Sequence, residues 1–196
     1  MNTIKEIEQE INQESATSGR SCNGCTICCK VLLIDQPDIQ KPANEWCKHC
    51  DSQFGCRIYA TRPRVCRGFT CKWLVNPELG DEWWPKLSKI IQYELSQNEQ
   101  HGWIFQVDVT VPNRWREEPY YSRIKQVAHN GLTGRHGLTG EPTGIKFKTV
   151  VVVGKEAWLI TPTADLKIPD KTVATRTIRK GMWHASFFTE VLRLRG

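Results

Sequence analysis

The sequence predicts an α+β fold: a cysteine-rich metal-binding module packed with an antiparallel sheet and a C-terminal helix. Three observations carry this. All nine cysteines lie between Cys22 and Cys71. Beyond Pro85 there are none, and β-branched and aromatic residues alternate with polar ones, the period of half-buried strands. Near the end of the chain Trp183, Phe187, Val191 and Leu194 fall on one helical face, with Phe188 and Leu192 beside them. The expected organisation is an N-terminal amphipathic helix and linker over 1–20, a cysteine-cluster module over 21–84, and a sheet region with its C-terminal helix over 85–196. A chain of 196 residues suits one or two domains. No apolar run approaches the ~18 residues of a membrane span, so no membrane partner and a soluble, cytoplasmic protein are expected.

In order, Ile4, Ile7 and Ile11 sit at helical spacing among Glu and Gln, and Ser15 to Gly19 reads as a linker. Cys22, Cys25, Cys28 and Cys29 then place four thiols in eight residues; Cys47, Cys50, Cys56, Cys66 and Cys71 follow. A two-residue gap lets the backbone turn so that both sulfurs address one centre. Gly24 and Gly55 stand where such turns need a positive φ. Disulfides are the alternative, but the N-terminus has no apolar run to direct secretion, and the same pattern in a reducing compartment favours metal ligation. Trp46 to Cys50 superficially matches a thioredoxin-like dithiol, whose context is a buried strand leading into a helix. Pro42 to Glu45 is no such strand, and Gly55 soon interrupts any helix after Cys50.

The string from Gly55 to Leu74, with Cys56, Ile58, Tyr59, Arg62, Pro63, Cys66, Arg67, Phe69 and Cys71, follows Cys22-x-x-Cys25-x-x-Cys28-Cys29 and Cys47. In this the chain resembles the bacterial YkgJ-like cysteine-cluster family, described as a zinc- or iron-chelating CxxCxxCC domain. The resemblance covers roughly 21 to 90. It implies metal binding by Cys22, Cys25, Cys28, Cys29, Cys47, Cys50, Cys56, Cys66 and Cys71, of which Cys50 is the least regular match. Flagellin lysine N-methylases carry a related cluster and are a distant analogy.

Within the module, Lys30 to Asp35 is an apolar run of strand length and Gln36 to Pro42 a loop. Ile58 to Arg67 contains a short helix, with Pro63 near its start or in a turn. Four thiolates around a divalent ion leave a charge of roughly −2, so Arg57, Arg62 and Arg67 are candidate neighbours. His49 is a candidate ligand or a group outside the coordination shell. Trp73, Trp83 and Trp84 are candidate apolar cover.

Leu87 to Leu95 and Gly102 to Val111 read as strands. Tyr120 to Ala128 is helix or strand, with Arg123, Lys125 and Gln126 facing water. Gly131 to Gly144, with its doubled Gly-Leu-Thr-Gly, is a flexible loop with Arg135 and His136 exposed at its centre. It lacks the Lys-Ser/Thr step of a phosphate-binding loop. Ile145 to Val153 and Glu156 to Thr161 flank Gly154-Lys155, the pattern of a two-residue hairpin.

The expected function is that of a metal-binding protein, the partner a metal ion or cluster. Zinc and an iron-sulfur cluster both remain open, with a 4Fe-4S cluster slightly favoured by the single tight Cys-x-x-Cys-x-x-Cys run. A cluster-dependent group or methyl transferase is one alternative. A nucleic-acid-binding module is another, since 27 Lys and Arg against 21 Asp and Glu give a net charge of +6. Lys167, Lys171, Arg176, Arg179, Lys180, Arg193 and Arg195 face only Asp170 and Glu190 in the last thirty residues. That surplus is modest and no nucleic-acid motif accompanies it, so a nucleic-acid partner is not expected. The sequence contains no recognisable acid/base pair or nucleophile with its base.

Overall fold

The computed structural model describes residues 19–169 apart from 23, 38, 98 and 99. The helices expected on Ile4, Ile7 and Ile11 and on Trp183 to Leu194, and most of the basic tail, lie outside the described residues. The chain divides into two compact units between Ile91 and Gln92. The fold is α+β, and among the described residues no helix is long and apolar enough to cross a membrane.

The first unit holds all nine cysteines on short elements. Helix α1 spans Ile27–Val31, and its two buried residues, Ile27 and Val31, lie four apart on one face. Strand β1 (Ile34–Gln36) pairs antiparallel with β2 (Ile39–Lys41). This corrects two expectations. Lys30 and Val31 belong to a helix rather than a strand, because the i, i+4 apolar face runs through the cysteines. The supposed loop over 36–42 contains β2, whose Ile39 and Lys41 are both buried.

Strands β3 (Cys50–Asp51) and β4 (Gly55–Cys56) form a second hairpin. Asp51 builds its turn: Oδ1 accepts from the Gln53 and Phe54 N–H groups at 2.9 and 3.1 Å, and Oδ2 accepts from Arg57 at 2.8 Å. Helix α2 (Arg64–Arg67) begins directly after Pro63, as expected, and α3 spans Lys72–Val75. Helix α4 (Pro85–Ser88) carries Pro at its start and ends at Lys89 in the left-handed region, φ 61°. The strand expected from Leu87 therefore starts later, at Ile90, and Leu87 is exposed on α4. Proline preset a helical turn there, and the apolar count alone concealed it.

The five-stranded sheet runs β5 (Ile90–Gln97), β6 (Gln100–Val107), β7 (Lys148–Val153), β8 (Glu156–Ile160), β9 (Asp165–Lys167) in spatial order. The division between the units falls inside β5. The β7–β8 hairpin turns at Gly154-Lys155 as expected, with Val153 opposite Glu156 and Gly154 at φ 60°. The sheet is not wholly antiparallel: β6 and β7 are parallel, with Phe105 opposite Val151. Parallel neighbours require a long crossover. Here residues 108–147 supply it and carry helix α5 (Tyr120–Leu132). Five consecutive buried residues, Thr149 to Val153, mark β7 as covered on both faces.

Helix α5 buries Ile124, Val127 and Ala128. Gln126 is exposed as expected. Arg123 and Lys125 are half-buried instead: Arg123 donates to the Leu138 carbonyl, and Lys125 to the Thr161 carbonyl at 2.9 Å and to Asp165 at 2.6 Å. Nor is the glycine-rich segment open chain. His136 N–H donates to the Glu141 carbonyl at 2.8 Å, Asn130 Nδ2 to Gly137 at 2.9 Å, and Leu138 is buried. Arg135 is exposed, whereas His136 is half-buried with its ring edge-on to Trp103.

Candidate metal centre

Every cysteine is a free thiol on a half-buried residue. The Cys25 N–H donates to the Cys22 carbonyl at 2.6 Å, closing the first turn around Gly24 at φ 68°. Cys28 and Cys29 ride on α1. The Cys47 N–H donates to the Cys29 carbonyl at 2.9 Å, and the Cys50 N–H to the Cys47 carbonyl at 2.9 Å, closing the second turn. Cys50 and Cys56 are directly opposed across β3–β4. Cys66 lies on α2, and Cys71 precedes α3, its carbonyl accepting from the Leu74 N–H at 2.9 Å. A Cβ at Gly55, itself at φ 96°, would come within 3.3 Å of the Gly24 Cα, so the first turn and the β3–β4 hairpin approach closely there, and the positive φ of both residues favours glycine.

One long side chain ties the start of this segment to its end. Arg20 donates through Nη1 to the Trp73 and Asn76 carbonyls at 2.8 and 2.9 Å and through Nη2 to Leu79 at 2.6 Å. Its guanidinium also lies over the Trp73 ring, 4.7 Å from the centroid. The planar fork reaches three carbonyls at once, which a lysine ammonium could not do in the same geometry. Trp73 and Trp83 are buried, and Trp84 stacks on Trp73 with centroids 5.8 Å apart.

The thiols differ in acidity for identifiable reasons. Cys28 donates to Cys29, and this bond together with burial holds the Cys28 thiol well above its usual value. The same bond, with a second from Cys50 and the nearby Lys41 and Arg62 charges, brings Cys29 down to about 7. Burial pushes Cys50 and Cys71 up to about 12 and Cys66 to about 11, with neighbouring thiolates adding to it; Cys25 and Cys56 are raised for the same reasons. Crowded thiols in this unit resist ionising together, the reverse of what they do around a cation.

Of the three arginines expected beside the thiols, Arg62 is there, stacked on the Tyr59 ring at 4.0 Å and close to Cys29, Cys56 and Cys66. Arg57 is engaged by Asp51, and Arg67 donates to the Arg62 carbonyl at 3.0 Å. The Tyr59 hydroxyl donates to Cys22 Sγ at 3.8 Å. Lys41 escaped the sequence reading. It is 3 % exposed, its ammonium donates to the Lys30, Pro42 and Glu45 carbonyls at 2.9, 2.8 and 3.0 Å, and Cys47, Cys29 and Cys28 are its charged neighbours. An ammonium buried on an edge strand, where lysines normally point to water, carried the only available signal, and it takes the pairing of β1 with β2 to see it. His49 accepts from the Arg57 N–H through its carbonyl, so its backbone braces the hairpin.

Among the described residues no three His, Cys, Asp or Glu side chains converge closely enough to hold a metal ion as they stand. The fit to a metal therefore rests on the donors themselves. Thiolates are the soft ligands that zinc and iron-sulfur clusters select, nine exceed the four that either closed site needs, and Lys41 and Arg62 offset the gathered negative charge. No family model, no curated protein and no solved structure matches this chain.

Proposed function

We propose that the first unit is a cysteine-ligated metal centre, zinc or iron-sulfur, in a protein of a reducing compartment such as the cytoplasm. The observation that carries the reading is nine free thiols confined to one unit, six of them linked through backbone turns, the Cys47–Cys29 hydrogen bond and a strand pair. The similarity of the Cys22 to Cys71 spacing to the YkgJ-like family supports the same chemistry. When bound, the metal would supply crosslinking between the short elements of the first unit. Anaerobic purification of the full chain, followed by metal and sulfide analysis and an absorption spectrum, tests it. Stoichiometric zinc in a colourless protein selects the zinc form, and iron with sulfide and visible absorption selects the cluster. Fully reduced thiols with neither metal nor sulfide would remove the reading.

A further inference from the structure

We infer that Lys41 is a positioning residue of the metal centre: its ammonium clasps the two stretches of backbone on which Cys29 and Cys47 stand, and fixes them against each other. This rests on the metal-binding reading above and adds a side chain that acts on the site without being a ligand. The Lys41 ammonium donates to the Lys30 carbonyl at 2.9 Å, to Pro42 at 2.8 Å and to Glu45 at 3.0 Å. The first of these carbonyls belongs to the residue directly after Cys29 on α1, and the last lies just upstream of Trp46 and Cys47. The Cys47 N–H donates to the Cys29 carbonyl at 2.9 Å. A buried side chain and a backbone bond thus join the same two stretches.

Among the described residues Lys41 is the only buried lysine or arginine, at 3 % exposure. Withdrawing an ammonium from water is costly unless its donors all find partners, and a lysine placed for solubility would face outward, as the neighbouring Gln40 does. The alternation of β2 turns Ile39 and Lys41 to the same buried face, where an apolar side chain would fill the space without any charge to desolvate. What an apolar side chain could not do is bond the three carbonyls. Lys30 lies in the last turn of a five-residue helix, whose final carbonyls have no partner within the helix, and Pro42 and Glu45 lie in the irregular chain between β2 and Cys47. A tetrahedral ammonium can address three carbonyls from three directions, which a planar guanidinium cannot do in the same geometry. All three protons of Lys41 are engaged in this way, so it acts on the thiols through the backbone that carries them. Groups that orient metal ligands in this manner typically change affinity about 10–100-fold when removed.

The test is anaerobic titration of the reduced full chain with Co(II), read by thiolate-to-cobalt charge transfer and by the visible bands of the bound ion, with thermal unfolding of each variant alongside. Lys41→Met keeps the length of the side chain and removes its donors; it should weaken Co(II) binding about 10–100-fold and shift the visible bands at saturation, because the thiols no longer meet the ion in the same arrangement. Ile39→Ala weakens the same buried face with the clasp intact, so it should lower the thermal midpoint and leave the bands where they are. Lys41→Arg keeps the charge in a planar fork and should not restore the unaltered spectrum. Should Lys41→Met fail to fold, Lys41→Gln retains a donor and should show the same band shift with a smaller loss of affinity. Bands that stay unchanged when Lys41 is replaced, that move no more than in Ile39→Ala, or that Lys41→Arg restores in full would overturn the clasp while the metal reading stands. An unaltered chain that binds no Co(II) with thiolate charge transfer would end both.

Discussion

Arg20 shows how much one side chain can hold when its donors are all used. Its three carbonyl partners, on Trp73, Asn76 and Leu79, lie on the four-residue helix α3 and the chain that follows it. Truncation leaves three acceptors to be resolvated in a half-buried setting, so Arg20→Ala should destabilise the first unit by about 2–3 kcal/mol, with Arg20→Lys recovering only part of it. Denaturant unfolding followed by tryptophan emission reads this, and an unchanged midpoint would mean the fork is ornamental. Tyr93 makes a residue-scale prediction in pH. Burial raises its phenol above the usual value of about 10, and its hydroxyl donates to Gln106 Oε1 at 3.0 Å. The folded state thus holds the proton more tightly than the unfolded one. The resulting stability is complete below pH ~10 and drains away as the pH climbs past it toward the folded value. Tyr93→Phe should cost about 1 kcal/mol at neutral pH and flatten the alkaline decline. Equal slopes above pH 10 in the two proteins would exclude Tyr93 as its source.

At the scale of elements, the β6–α5–β7 unit is set by close approaches rather than by propensity. Gly137 follows α5 in the turn that Asn130 anchors, and a Cβ there would meet the Trp103 ring at 2.5 Å. Trp103 is 1 % exposed and cannot swing aside without opening the core. Gly137→Ala should therefore cost about 1–3 kcal/mol by overpacking, although alanine suits almost any backbone. Gly140→Ala is the contrast: φ is 73° there, and the nearest atom to a Cβ is Asn130 Nδ2 at 3.8 Å, so its cost is conformational and should be about 1 kcal/mol. Thermal unfolding of the two variants separates crowding from backbone strain, and equal shifts would refute the distinction.

At the scale of the molecule, the two units differ in what holds them. The second has a five-stranded sheet with β6 and β7 in its middle and a thirteen-residue helix. The first has helices of four or five residues and strands of two or three before Ile90, too short to be stable alone. If metal crosslinks the first unit, its removal forfeits on the order of 10 kcal/mol of binding energy. Hydrogen exchange after chelation should show protection lost across residues 24–75 and kept in β6, β7 and β8. Loss spread evenly over both units, or no loss at all, would contradict a structural metal confined to the first.

Read alone, the chain determined a good deal: an α+β protein, a thiol-rich segment distinct from a β-rich one, a short helix within Ile58 to Arg67, and a two-residue hairpin at Gly154-Lys155. These are local facts, written in cysteine spacing, proline's preset φ, glycine's freedom and period-two alternation. The tertiary structure decided what depends on residues far apart. That β6 and β7 run parallel turns on where a forty-residue connection returns, which no window of alternation records. Lys41 is buried among thiols, and Arg20 clasps carbonyls more than fifty residues away, because hydrogen-bond partners are chosen by the fold. Which cysteines meet is likewise hidden in spacing, since the Cys47 N–H reaches the Cys29 carbonyl and Cys50 faces Cys56 across a strand pair: adjacency in sequence sets which residues can turn together, and only packing sets which turns meet.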